Sequence, residues 1–354
     1  MQASYKKLAE HLDKLPGGFA PSDTGADLRL LQRLFTNEEA DLATHLTLER
    51  EAASIIADRA NLPLVEVEQR LMRMSNKGLI FSIQSEDSPT LYQAVPFVVG
   101  IYEFQVNNLG EGLLSDLSDY WSTRIQRRQR QTIPQMRTIP VGESIEYQLE
   151  ALPYEQVDEL VNANDRFAVA PCICRRHAKL MGNGCDAPEE SCLIFGDFAD
   201  YYVREGLGRS IDRAEVMRVL KDADAANLVL QPSNSQHASF ICCCCGCCCG
   251  ILGGIQNHPT PSEVVVNEYI AVHEPEICEA CWACLERCQM QAFTEEVDHV
   301  ILNEDRCIGC GLCVSTCPSG ALSLVRKPDR KQMQIPVTMD VTWRTISQAQ
   351  NETS

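Results

Sequence analysis

Apolar positions recur at helical spacing through much of the first third of the chain. The stretch from Leu28 to Phe35, continuing to Leu48, is amphipathic, and residues 51–60 put Ala52, Ile55 and Ile56 on one face among good helix formers. Asn61-Leu62-Pro63 marks a turn. Residues 65–77 then place Val67, Leu71 and Met74 at core spacing, with Gly78 as the expected C-cap. Residues 79–83 and 91–95 read as strands flanking a polar tip at 84–90. From 96 to 165 the pattern is mostly helical, with 109–124 amphipathic, and the prolines Pro134 and Pro140 predict an extended connector over 133–142. Later, residues 212–225 predict a helix with Val216, Met217, Val219 and Leu220 apolar and Ser210 or Asp212 as its cap. Gly206-Leu207-Gly208 reads as a turn, since two glycines with no following Lys-Ser/Thr make no phosphate loop.

Helix, turn, helix and a two-stranded wing, in that order over about 65 residues, resembles a winged helix-turn-helix domain. The resemblance implies DNA binding through the second helix, or a protein-docking module on the same scaffold. Charge weighs against DNA: residues 1–90 hold 10 Lys+Arg against 14 Asp+Glu, and Glu66 and Glu68 stand near the start of the presumed recognition helix. The basic run Arg124, Arg127, Arg128 and Arg130 reads as a solvated helix face, with a docking patch as the alternative.

Composition narrows the class. The 354 residues are 45% hydrophobic, enough for packed cores, and carry a formal net charge of −18, which opposes general nucleic-acid binding and favours partners with basic surfaces. The longest apolar run, residues 94–101, is far short of a membrane span, and residues 1–10 are polar with no signal-peptide core. All 19 cysteines lie between Cys172 and Cys317. An odd number of thiols without secretory features predicts a cytoplasmic chain whose cysteines are reduced and metal-bound.

Two copies of one pattern, offset by 29 residues, stand near the C-terminus. They are Cys278-x2-Cys281-x2-Cys284-x3-Cys288 and Cys307-x2-Cys310-x2-Cys313-x3-Cys317, the second followed by Pro318. This resembles the bacterial two-cluster ferredoxin module over about 60 residues, from Tyr269 to Val325. A pair of zinc sites would instead need separated C-x2-C units. The resemblance implies a small pseudo-twofold α+β fold in which three closely spaced thiolates wrap one cubane and the fourth crosses to the other. By that rule Cys278, Cys281, Cys284 and Cys317 hold one 4Fe-4S cluster, and Cys307, Cys310, Cys313 and Cys288 hold the other. Residues 319–325 predict a short strand mirrored by 291–294. The first copy departs from the pattern: Gln289 follows Cys288 where the family usually has Pro, and Ala280 and Trp282 replace the glycines of the second loop, so the two clusters are expected to differ in potential.

Eleven cysteines remain as candidate metal ligands: Cys172, Cys174, Cys185, Cys192, Cys242, Cys243, Cys244, Cys245, Cys247, Cys248 and Cys249. Seven fall in eight consecutive positions. Neighbouring side chains point in different directions, so the run cannot wrap one cluster with all seven but can serve two sites on opposite sides of the backbone. The Cys172/Cys174/Cys185/Cys192 set and the 242–249 run are expected jointly to bind one or two further iron-sulfur clusters; from Phe167 to Val325 the chain resembles multi-cluster iron-sulfur proteins of anaerobes, which implies electron transfer within a larger redox system. Alternatives stay open: a structural zinc site from Cys172, Cys174, Cys185 and Cys192; a noncubane cluster of the heterodisulfide-reductase type, whose Cys-Cys-Gly core Cys244-Cys245-Gly246 matches while the following C-x2-C is missing; or a redox-active thiol set, with His177 beside Cys174 as ligand or proton donor.

The expected architecture is mixed and multidomain: a winged-helix-like α+β domain over 1–95, a helical connector over 96–165, a helical cysteine-rich domain over 166–257, an α+β two-cluster ferredoxin domain over 258–326 and a tail over 327–354. The expected function is single-electron relay through 4Fe-4S clusters between redox partners, as an electron-transfer subunit and not as an enzyme alone. The alternatives are a redox-sensing winged-helix regulator and a thiol or disulfide reductase.

Overall fold

A computed structural model of the chain describes residues 2–127, 133–144, 152, 155–327 and 334–352. Its chain divides into two compact units. The first comprises Met1–Gln135, Tyr201–Gly208 and Asp340–Ser354, and the second Met136–Asp200 and Arg209–Met339.

The first unit opens with α1 (Gln2–Asp13), α2 (Ala26–Leu34) and α3 (Asn37–Ala43). Thr36 starts α3 with a capping box: its hydroxyl accepts from Glu39 N while the Glu39 carboxylate accepts from Thr36 N. After a two-residue strand β1 (Glu51–Ala52) come α4 (Ala53–Ala60) and α5 (Leu64–Asn76). Helix α4 thus starts two residues later than the periodicity predicts, because Glu51 and Ala52 pair with β3 (Ser88–Gln93). Gly78 adopts φ 68°, and Leu79 N bonds back to Met74 O, so the expected glycine stop closes α5. The strand β2 (Phe81–Ser85) completes a sheet in the order β1-β3-β2. Helix α6 (Glu111–Arg127) follows. Arg124 and Arg127 fall at its C-terminal end, while Arg128 and Arg130 lie outside the described residues.

The second unit contains α7 (Val157–Asn162), β4 (Phe167–Pro171), α8 (Ile173–Leu180), β5 (Glu190–Phe195) and α9 (Gly196–Arg204), whose last residues are counted with the first unit. Next are β6 (Arg209–Ile211), α10 (Arg213–Ala225), β7 (Val229–Pro232) and β8 (Phe240–Cys244). Asp212 caps α10 by accepting from Glu215 N at 2.7 Å. The strands form one antiparallel five-stranded sheet, β6-β4-β5-β8-β7. This corrects the helical domain expected over 166–257. Val169, Leu193, Val229 and Ile241 are completely buried, and Cys243 of β8 joins them as a small apolar side chain. The extended segment from Met136 to Val141 bonds through Ile139 N to Leu230 O and through Val141 N to Cys310 O, satisfying its backbone between the sheet and the second cysteine repeat.

Helices α11 (Gly250–Gln256) and α12 (Pro261–Val264) lead into the repeat region, built from β9 (Tyr269–His273), α13 (Ala283–Arg287), β10 (Phe293–Glu295), β11 (Val300–Leu302) and β12 (Leu322–Arg326). The outer strands β9 and β12 pair antiparallel, as do β10 and β11. Met290, Ile308 and Leu312 of the repeats share one hydrophobic core with Val169, Ile241 and Leu252 of the sheet region. The stretch expected as a tail ends in α14 (Met339–Glu352), which belongs to the first unit. There Trp343 is buried and donates from Nε1 to Gln135 Oε1 at 2.8 Å.

Candidate metal centres

The repeat loops bend back on themselves through left-handed residues, and this brings distant cysteines together. Cys278, Cys281, Cys284 and Cys317 line one pocket with Trp282, His273 and Leu322 around them. Those four are the set predicted for one cluster, three from the first copy and one from the end of the second. Cys313 also reaches this cavity. Cys307, Cys310 and Cys313 lie close enough to Cys288 for their charges to interact. Backbone N–H groups point at the sulfurs: Ala271 N donates to Cys307 Sγ at 3.4 Å and Ala292 N to Cys288 Sγ at 3.2 Å.

Burial raises the thiols of Cys284, Cys288, Cys310 and Cys313. It pushes Cys284 up to about 11 and Cys310 up to about 12, with the neighbouring Cys288 and Cys307 adding to the shift at Cys310. Thiolates so placed repel each other and lack water, so they persist only beside positive charge, which iron supplies. The donor set therefore fits iron-sulfur clusters.

Upstream, the cysteine run divides by direction. Cys242 and Cys244, two apart on β8, face one side, where side-chain hydrogen bonds link Cys192 to Cys242, Cys242 to Cys244, Cys244 to Cys249, Cys249 to Cys174 and Cys174 to Cys172. Cys192 and Cys242 are also direct partners across β5 and β8. Cys249 caps α11, accepting from Leu252 N at 3.4 Å, and hydrogen bonds from Cys174 and Cys244, helped by these amides, lower its thiol. Cys245, Cys247 and Cys248, in the turn after β8, gather instead with Cys185. Cys243 joins neither group: it is buried in the apolar core and burial raises its thiol. The structure likewise does not bring Cys172, Cys174, Cys185 and Cys192 together as one four-cysteine set, because Cys185 stands with the turn.

Two residues without a sequence signal support these centres. Arg175 is completely buried on α8, with Nη1 on Ser191 Oγ at 2.6 Å and on Pro188 O, and Nη2 on Cys243 O at 3.0 Å and 3.8 Å from Cys245 Sγ. Gln289, the departure from the usual Pro, accepts from Gly246 N through Oε1 at 2.9 Å and donates from Nε2 to Asn227 O at 2.7 Å. Its side chain ties the first repeat to the cysteine run. His177 is buried on α8, and burial lowers its imidazole.

Thiol sets of this kind define an iron-sulfur protein, and comparison with known proteins specifies the type. The 4Fe-4S binding domain family matches residues 300–323. Hydrogenase-4 component A of Escherichia coli is 36% identical over 72 residues, 20% of this chain and 34% of that protein. An uncharacterised ferredoxin of Methanocaldococcus jannaschii is 38% identical over 66 residues, 18% of this chain and 40% of the relative. A second uncharacterised ferredoxin of that organism is 38% identical over 45 residues, which is 12% of this chain but 73% of the relative. The chain belongs to the 4Fe-4S ferredoxin family. It spans only about a third to two-fifths of the length of the first two relatives. No solved structure matches it. Among the described residues no helix is long and apolar enough to cross a membrane.

Proposed function

We propose that the chain relays single electrons through two 4Fe-4S clusters in the repeat region and a third cluster in the upstream thiol pocket. One repeat cluster is held by Cys278, Cys281, Cys284 and Cys317 and the other by Cys307, Cys310, Cys313 and Cys288. The observation that carries this reading is the shared pocket of Cys278, Cys281, Cys284 and Cys317, which gathers three thiols of the first copy and the last thiol of the second as a crossed cluster requires. The upstream pocket offers Cys172, Cys174, Cys192, Cys242, Cys244 and Cys249, more thiols than a single tetrahedral ion uses. Cys288 and Cys310 pack on the same core as Cys244 and Cys249, so the centres form a series within one unit.

In this reading the N-terminal winged-helix-like domain is a docking module for a redox partner in a larger oxidoreductase system. Around α4 and α5 it exposes Ile55, Leu64, Val65 and Met72, an apolar surface suited to protein and not to phosphate. The strong negative charge favours a basic docking face on that partner.

Iron and acid-labile sulfide counted in anaerobically purified protein test the proposal. Three cubanes give about twelve sulfides per chain, whereas about eight would remove the upstream cluster and none would sink the relay. Stopped-flow reduction by a basic electron donor should slow with added salt. A rate independent of salt would overturn the docking reading.

A further inference from the structure

We infer that Cys185, Cys245, Cys247 and Cys248 bind a single metal ion, zinc or iron, in a tetrahedral tetrathiolate site separate from every cluster. All four sulfurs lie within 4.8 Å of one another. Cys185 Sγ is 3.8 Å from Cys245 Sγ and 3.7 Å from Cys248 Sγ, and Cys247 and Cys248 are 3.7 Å apart. A tetrahedron with metal–sulfur bonds of about 2.3 Å has sulfur–sulfur edges of about 3.8 Å. A cubane distributes its thiolates over four separate irons, so their sulfurs stand apart by the width of the cluster, which this close contact does not allow.

The chain geometry suits such a site. Cys245, Cys247 and Cys248 surround Gly246 in one turn at the end of β8, and Cys185 enters from the loop that follows α8. An ion there staples that loop to the sheet. Charge provides an independent argument. Four thiolates around a divalent ion leave two negative charges, and Arg175, completely buried, points one of its donors at Cys245 Sγ. Among the described residues no carboxylate pairs with this guanidinium, and the thiols whose charge acts on it are Cys172 and, from this site, Cys245 and Cys185.

This inference builds on the cluster reading above but can fail separately from it. Holoprotein purified anaerobically from medium containing both metals is assayed for zinc, iron and acid-labile sulfide. Cubanes contain equal iron and sulfide, so the site appears as one zinc per chain, or as one iron in excess of sulfide. The Cys247→Ser variant should lose that one ion while sulfide stays unchanged. A loss of about four sulfides would instead place a cubane on these residues and overturn the inference, as would wild type with neither zinc nor excess iron. Absence of sulfide with the single ion retained would defeat the relay alone. If the variant does not fold, spectroscopy of the wild type decides. Zinc-edge X-ray absorption should show four sulfur neighbours at about 2.3 Å, or, for iron, Mössbauer spectra should show one mononuclear high-spin component. Nitrogen or oxygen neighbours, or no mononuclear component, would refute it.

Discussion

The two cysteine loops of the repeat follow one backbone with different side chains. Ala280, Trp282 and Gln291 take φ of 49°, 61° and 54°, and their counterparts 29 residues on, Gly309, Gly311 and Gly320, take 64°, 75° and 68°. The loop path demands left-handed residues at these three points in both copies. Crowding differs between them. A Cβ on Gly309 would lie 2.3 Å from Tyr269 O, and one on Gly311 would lie 2.1 Å from Ser144 Oγ. At Gly309 and Gly311 neighbouring atoms exclude a side chain, while Gly320 faces open space, and the first copy carries side chains at all three points at a conformational cost. Trp282 offsets that cost by packing against the core around the first cavity.

The largest expected difference comes from exchanging ligands across the copies. Cys317→Ser should abolish the cluster on the first loop and leave the one on the second, while Cys288→Ser should do the reverse, each read as loss of about four sulfides and of one distinct electron paramagnetic resonance signal. Loss of the same signal in both variants would break the crossed assignment. Next, Gly311→Ala should destabilise the second unit by roughly 2–5 kcal/mol, from left-handed strain plus the clash with Ser144, whose Oγ is held by Val141 O at 2.7 Å. Denaturant unfolding of the loaded protein measures it. Ala280→Gly should do the opposite, adding about 0.5–1 kcal/mol, because relief of strain exceeds the extra chain entropy of glycine. Trp282→Ala should leave stoichiometry intact while the first cluster bleaches several-fold faster in air, and equal bleaching of both clusters would show that the indole shields neither.

The smallest effect concerns acid. His273 lines the first cavity and stacks on His299 with ring centroids 6.3 Å apart; burial, and then His299, hold its imidazole below the ordinary 6.5. The folded state therefore disfavours the proton that the unfolded chain accepts. The stabilisation is complete above about pH 6.5 and is lost as pH falls through the lowered value. Absorbance of the first cluster should decline with acid earlier than that of the second, and His273→Gln should remove this lead.

Legibility in the sequence followed the kind of signal. Helix α5 with its glycine stop and α10 with its Asp212 cap were readable because each boundary is set by a neighbouring side chain or backbone preference. The cysteine repeats were readable because ligand spacing is local. The five-stranded sheet was not. Its strand Phe240–Cys244 consists largely of cysteines, which read as ligands and not as apolar strand residues, although Cys243 serves only the core. The sorting of the upstream thiols depends on which way a turn points Cys245, Cys247 and Cys248 and on where a loop delivers Cys185, and neither is encoded in spacing. Arg175 carried no pattern at all, since a buried arginine looks like a surface one until its environment is known. In the sequence Gln289 stands out only as a missing proline, and its hydrogen bond to Gly246 gives the substitution a purpose.

The route of the chain also fixes an order of assembly. Helix α14 fills the first unit with Trp343 and Ile346, and Ser347 Oγ donates to Lys14 O at 2.8 Å, so segments on either side of the cysteine-bearing stretch meet there. The first unit thus cannot finish folding until all nineteen cysteines have been synthesised. A nascent chain halted just after the second repeat would carry these nineteen thiols yet lack the helix that completes the first unit.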